Sequence, residues 1–427
     1  MSVLQKMFAG IVIPRMVKVE QKFDDSKVED VARTLQLELN KVEIAATVQP
    51  GMRIAIGVGS RGLRHIDLLV RELVAFLTER GAKPFIIPAM GSHGGATAEG
   101  QAEILASLGV TEAAVGCPVR SSMEVVEIGR IANGLPVYAD KIAVEEADGI
   151  VYIARVKPHT AFRNQSESGL LKMLTIGLGK HRGAATCHSY GYRNMGSHIL
   201  QMADVAIQKL PILFAVASVE NAYDEIMHLS AVPVEKLKAE DQRLLPIAKE
   251  NIPRILLPKM DVLIIDQVGK EISGEGMDPN VTGRYSSPYV ASDNYATQIG
   301  VLDLTEKSHG NATGMGPADY ITRRMYDKID FDVTYANCIT AVLPACAKTP
   351  FVMKSDYDVF RAAIRTCEVP DQKQVKLVRI SDTLHLDSIM ISESMIEEAR
   401  QHPQLEIVSE PFALQFDAQG NLLPSYR

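Results

Sequence analysis

The sequence has no CxxC pair, no excess of positive charge and no long apolar run. Each absence removes a class of protein. The five cysteines, Cys117, Cys187, Cys338, Cys346 and Cys367, are odd in number and scattered. That argues against a disulfide framework or a zinc ribbon, and buried thiols are the expectation. Cys187 stands apart, because it lies beside His188. The net charge of −7 leaves no electrostatic footprint for nucleic acid. A membrane-spanning helix needs roughly 20 apolar residues, and the runs here are about strand length. Met1-Ser-Val-Leu-Gln-Lys-Met lacks the charged head, apolar centre and cleavage site of a signal peptide. The expectation is a cytoplasmic protein with neither a nucleic-acid nor a membrane partner.

What is present is 427 residues, enough for two cores at roughly 100–200 residues per domain. Short β-branched runs alternate with amphipathic helical patterns, which predicts α/β layers. Strands are expected at 53–58, 84–88, 149–154 and 212–217. Helices are expected at about 66–80, 98–108, 194–209 and 235–252. In the first of these, Ile66, Leu69, Val70, Leu73, Val74 and Leu77 recur at i, i+3, i+4, i+7 spacing. Pro253 and Pro258 reset the pattern. The expected division is an N-terminal catalytic domain, 1–255, and a C-terminal α/β domain, 256–427. A ligand cleft between them, closed by the second domain, is the expected arrangement. Further strand candidates are 261–266, 301–304, 338–342 and 375–380.

Three of these strands end in polar, glycine-rich turns: Gly59-Ser-Arg-Gly62, Gly91-Ser-His-Gly-Gly95 and Lys157-Pro-His-Thr-Ala-Phe162. Ligands of open α/β sheets bind outside the carboxyl ends of the strands, so three such turns would build one pocket. His93, His159, His181 and His188 are read as standing in loops or turns rather than periodic segments. Near neutral pH histidine both takes and gives a proton. Two of them on opposite faces of one substrate would serve as base and acid, the geometry a racemase requires. Ser60, Arg61 and the following helix N-terminus can hold a phosphate or a carboxylate. Lys172 and Lys180 are each a candidate reactive amine, and spacing alone does not choose between them.

As an ordered set, GSRG, GSHGGAT, KPHTAF and SGLLK with a later histidine resemble the nickel-dependent lactate racemase family. The resemblance covers mainly residues 50 to 200. It implies a nickel-pincer nucleotide, a pyridinium mononucleotide holding nickel through two sulfurs and a ring carbon. By the same resemblance, Ser60, Arg61 and Gly169 would bind the cofactor, and Lys172 would be joined to it. His188 would be the protein's ligand to nickel, and His93 and His159 the acid/base pair acting on a 2-hydroxy acid. Lys270, Asp278, Asn280 and Arg284 occupy the loop expected to supply substrate contacts. The family's acidic residues before the arginine are replaced here by Gly57-Val-Gly-Ser60. Lys180-His181-Arg182 adds charge that lactate does not need, which points to a larger or more polar acid, malate-like or a sugar acid.

Two other classes stand beside this reading. One is a zinc-dependent hydrolase using the loop histidines, although no HxxxH or HxH pair places two ligands together. The other is a non-catalytic nucleotide- or anion-binding protein, which would have no use for His93, His159 and His188 together.

Overall fold

The structure is a computed structural model; it describes residues 3–60, 63–257 and 259–423. Two compact units form, Asp25–Ile252 on one hand and Met1–Asp24 with Pro253–Arg427 on the other. The expected boundary after residue 255 falls three residues late, and the first 24 residues belong with the C-terminal unit. The reason is strand β1 (Met16–Gln21), whose backbone pairs antiparallel with two strands from the end of the chain.

The N-terminal unit is built on β2 (Arg53–Val58), β3 (Lys83–Pro88), β6 (Gly149–Arg155), β7 (Ile212–Glu220) and β8 (Ile226–Pro233). The hairpin β4 (Val125–Arg130) and β5 (Pro136–Asp140) stands apart from this sheet. Strand order is β3-β2-β6-β7-β8, parallel except for the β7–β8 pair. From β2 the chain crosses to β3 on one side and later returns to β6 on the other. The topological switch point therefore lies at the carboxyl ends of β2 and β6, where open α/β sheets take ligands.

Helix α1 (Ile66–Glu79) buries Leu69, Val70, Leu73, Val74 and Leu77 on one face, as its periodicity predicts. They pack with Ile54, Ile56 and Val58 of β2 in one core. Helix α2 (Ala98–Ser107) is capped by Thr97, whose Oγ1 accepts from the Gly100 amide at 3.1 Å. Beyond β6 the chain forms α3 (Leu170–Lys172), a π-helical turn over Met173–Gly177, and α4 (Lys180–His188). His181 and His188 are thus helical, not loop residues. The apolar Leu170, Leu171, Leu174 and Ile176 face the interior here, so the glycines of this stretch do not break it. Helices α5 (Met195–Lys209) and α6 (Leu237–Asn251) complete the unit.

The C-terminal unit carries β9 (Val262–Val268), β10 (Gln298–Leu304), β11 (Tyr320–Thr322), β12 (Phe351–Met353), β13 (Leu377–Ile380), β14 (Ser388–Ser392) and β15 (Leu405–Ile407). With β1 they form one sheet in the order β12-β11-β10-β9-β13-β14-β1-β15. Alternate residues of the strands enter two separate cores. Val17, Leu263 and Ile265 lie on one face, Met16, Val262 and Ile264 on the other. Both faces are covered, as the parallel run β12-β11-β10-β9-β13 requires; the remaining pairs, β13–β14, β14–β1 and β1–β15, are antiparallel. Residues 338–342 do not form the expected strand. Cys338 lies in helix α7 (Phe331–Thr340), started by Asp330, whose side chain accepts from the Val333 amide. A short apolar run does not distinguish strand from helix, and the capping aspartate decides it here.

Candidate active site in the N-terminal unit

All three polar turns emerge from the carboxyl ends of adjacent strands, β3, β2 and β6. The 170–188 segment runs across them. A Cβ on Gly59 would stand 3.0 Å from Met173 Cε, so the residue beside Lys172 lies against the turn after β2. The Gly91 amide donates to the Gly177 carbonyl at 3.3 Å, which ties the segment to the turn after β3.

Within the first two turns, Ser60 Oγ and His93 Nδ1 share a hydrogen bond. Ser60 orients a histidine, a contact that spacing did not suggest. Gln101, fully buried on α2, donates from Nε2 to the carbonyls of Gly91 (2.9 Å) and His93 (3.2 Å). It fixes the His93 turn, and only its place one helical turn past the motif hinted at that role. Arg61 lies outside the described residues.

His159 is buried. Its Nδ1 accepts from the Ala161 amide at 3.0 Å, so the neutral ring carries its proton on Nε2. Its ring lies tilted by 34° against Phe162, with centroids 4.3 Å apart. Tyr192 lies 6.1 Å from the His159 ring and 5.7 Å from that of His188, edge-on to the latter. One aromatic side chain therefore joins two of the expected site histidines.

His188 Nδ1 is 2.6 Å from the Ala184 carbonyl oxygen. Burial pulls its pKa down to about 4, with the Lys172 charge acting in the same direction. The ring is neutral at pH 7 and presents an Nε2 lone pair, the form that binds a metal. Among the described residues no group of three or more His, Cys, Asp or Glu could hold a metal ion. The donor set fits a metal that brings most of its ligands with it and takes one from the protein. It does not fit a catalytic zinc, which takes three protein ligands.

The two lysines separate cleanly. Lys180 is fully buried, 2.9 Å from the equally buried Asp140, and donates to the Pro88 carbonyl. Burial lowers its pKa, partly offset by Asp140. It ties β5 to the end of β3. Arg182 lies over the Tyr138 ring, 4.4 Å from its centroid. Lys172 is half-buried, and its charge reaches both Cys187 and His188. Gly169, expected to contact the cofactor, has a different constraint. A Cβ there would overlap Asp241 Oδ1, which accepts from the Leu170 amide at 2.6 Å. Cys187 is fully buried, and desolvation pushes its thiol up to about 12.

In the C-terminal unit the four expected substrate residues have partners of their own. Arg284 Nη1 pairs with Asp319 at 2.6 Å, and the guanidinium also donates to the carbonyls of Ala296, Thr297 and Pro317. Asp278 accepts from the Asn280 amide and side chain. These two are anchors of their loop rather than groups held out for a ligand. Lys270 Nζ donates to the Gly274 carbonyl (2.7 Å) and to Asn337 Oδ1 (2.9 Å). Tyr285 donates to Asn280 at 3.2 Å.

Together these features define an α/β protein with histidines and lysines gathered at the switch point of its N-terminal sheet, a candidate ligand site. Residues 5–197 match the family model described as the lactate racemase N-terminal domain. The fold is similar to that of the lactate racemase apoprotein from Thermoanaerobacterium thermosaccharolyticum. The TM-score is 0.50 at 15% identity, covering 87% of this chain and 99% of that one. A protein from Thermotoga maritima is similar at a TM-score of 0.50 and 13% identity, covering 81% and 93%. No curated protein sequence matches the chain. Among the described residues no helix is long and apolar enough to cross a membrane.

Proposed function

We propose that the protein is a racemase or epimerase of a 2-hydroxy acid that works with a nickel-pincer nucleotide. The observation that carries this reading is His188, a single neutral nitrogen donor set beside Lys172 with no cluster of further protein ligands. His188 would hold the metal and Lys172 the organic part, with Ser60, Arg61 and the α1 N-terminus toward its phosphate. The bound group would take hydride from C2 of the substrate and return it to either face.

The histidines handle the proton. Both engage Nδ1, His93 with Ser60 and His159 with Ala161. The proposed chemistry therefore uses Nε2 of each ring. His93 can adopt the Nδ1–H form, with Ser60 Oγ accepting, and its Nε2 then receives the hydroxyl proton. His159, in its Nε2–H form, donates to a substrate oxygen. It becomes a base only when Ala161 releases its Nδ1. The two rings are chemically unequal, and each enantiomer would use them differently.

For the substrate we propose a polar acid, malate-like or a sugar acid, as the class. The test is to produce the protein in cells that make the cofactor and to measure three things. These are nickel per chain, the mass of the Lys172 peptide, and interconversion of enantiopure lactate, malate and aldonates. Nickel, an adduct on Lys172 and interconversion of one acid are expected. A protein that takes up no nickel and inverts none of these acids sinks the reading.

A further inference from the structure

One buried carboxylate organises the segment that carries His159. The Glu167 side chain is 0% exposed. Its Oε2 accepts from the His159 amide at 2.8 Å and lies 3.4 Å from Arg163 Nη1. Its Oε1 accepts from Lys249 Nζ at 2.6 Å and from the Asn164 amide at 3.4 Å. Arg163 also donates to the His159 carbonyl, so the peptide groups on both sides of this residue are gripped. The ends of the segment are closed where Lys157 and Ser168 exchange backbone hydrogen bonds of 2.8 and 3.2 Å. Residues 157–168 wrap around a single negative charge.

Lys249 comes from α6, the helix whose Asp241 holds the amide of Leu170 at the start of α3. Positions 241 and 249 are about 12 Å apart along a helix. One rod thus grips the segment bearing His159 near one end and the helix bearing Lys172 near the other. A buried carboxylate is costly unless paired and hydrogen-bonded. Here two cations and two amides compensate it, and the set tolerates little displacement of any member.

We propose that Glu167, clamped by Lys249, is the positioning residue of His159, and that α6 fixes where His159 stands relative to Lys172. The role rests on the reading of His159 as a working residue. Without Lys249 the carboxylate stays buried with only one of its two cations, Arg163 at 3.4 Å, and the segment opens to hydrate it.

The experiment compares Lys249→Met, Glu167→Gln and Lys249→Arg with the wild type. Its first readouts need no cofactor: amide hydrogen exchange across 157–168 and the ring ¹⁵N shifts of His159. Exchange is expected to quicken about tenfold in Lys249→Met and Glu167→Gln, with α5 unchanged. The His159 signals, a single Nε2–H form in the wild type, become averaged, and Lys249→Arg restores both. In the loaded protein kcat falls about 10–100-fold, as for a misplacement on the order of 1 Å, while KM and nickel content hold. If Glu167→Gln does not fold, Lys249→Met alone carries the test. Wild-type exchange and ring shifts in the variants overturn the proposal. So does wild-type kcat in a variant whose segment has loosened. If the wild type inverts no 2-hydroxy acid, the functional reading fails, while exchange and ring shifts still decide whether the clamp places His159.

Discussion

His188 Nδ1 lies 2.6 Å from the carbonyl oxygen of Ala184, one turn back on the same helix. A carbonyl only accepts, so the proton sits on Nδ1 and the lone pair on Nε2. Burial then keeps the ring neutral, with its pKa down at about 4. Helix geometry sets the tautomer and desolvation sets the charge, with no carboxylate partner needed. The sign for stability follows. The folded pKa lies below the unfolded value of 6.5. The contribution is in place above pH 6.5 and is lost as pH falls through about 4, because the unfolded chain takes the proton first. Ring ¹⁵N spectra are expected to show one Nδ1–H form from pH 8 to about pH 5. In denaturant titrations His188→Gln removes the stability slope between pH 6.5 and 4. A His188 midpoint near 6.5 contradicts the burial argument.

Tyr192 supplies a second handle, since its ring touches both His159 and His188. Tyr192→Phe keeps both ring contacts and is expected to turn over at nearly the wild-type rate. Tyr192→Leu removes two aromatic contacts worth roughly 0.5–1.5 kcal/mol each. It should lower the denaturation midpoint and depress kcat more than KM, because the two rings lose their common spacer. Equal kinetics in the Phe and Leu variants would show that the spacer is idle.

Much of this site was legible because its signals are local. The runs 53–58 and 149–154 fall within the observed β2 and β6, and the strand read at 84–88 begins one residue late. Periodicity placed the buried face of α1. The ordered histidines and lysines led to one sheet edge. What escaped depends on contacts distant in sequence. Nothing near Met16–Gln21 announces that it pairs with Ser388–Ser392 more than 360 residues away. Asp241 and Lys249 sit on a charged helix whose pattern looks like a solvated face, yet one caps the Lys172 helix and the other holds Glu167. Arg284 read as a substrate clamp, but its guanidinium is taken up by Asp319 and three carbonyls. A charged side chain's address lies in its partners, which spacing does not encode.

Lys180 and Lys172 make opposite predictions. Lys180 is paired with Asp140 in a fully buried contact. Lys180→Met leaves that carboxylate buried with the Ala143 amide as donor but without its cation, which costs about 3–5 kcal/mol. Adding Asp140→Asn should recover part of the loss. Lys172 is half-buried, so Lys172→Met is expected to leave stability nearly unchanged while abolishing the cofactor adduct. Chemical denaturation and intact mass decide it. A stable Lys180→Met protein lacking the adduct would exchange the two roles.

The Asp241 carboxylate is held where the glycine of Ser168-Gly169-Leu-Leu-Lys172 leaves room for it. Burial raises its pKa above the usual value of 3.8 despite amide donors at Leu170 and Leu171. A raised folded pKa means that its contribution is complete below pH 3.8 and is lost as pH rises through the folded value. Asparagine keeps the accepting oxygen and never carries the charge. Asp241→Asn is therefore expected to match the wild type near pH 3.8 and to become the more stable protein toward neutrality. Asp241→Ala loses the acceptor and should cost about 1 kcal/mol, as helix N-caps do. Gly169→Ala should cost more than Asp241→Ala, because its Cβ displaces the carboxylate while the Leu170 amide stays buried. Thermal denaturation at several pH values measures all three. An Asp241→Asn protein that grows less stable than the wild type as pH rises would mean that the negative charge itself holds the Lys172 helix in place.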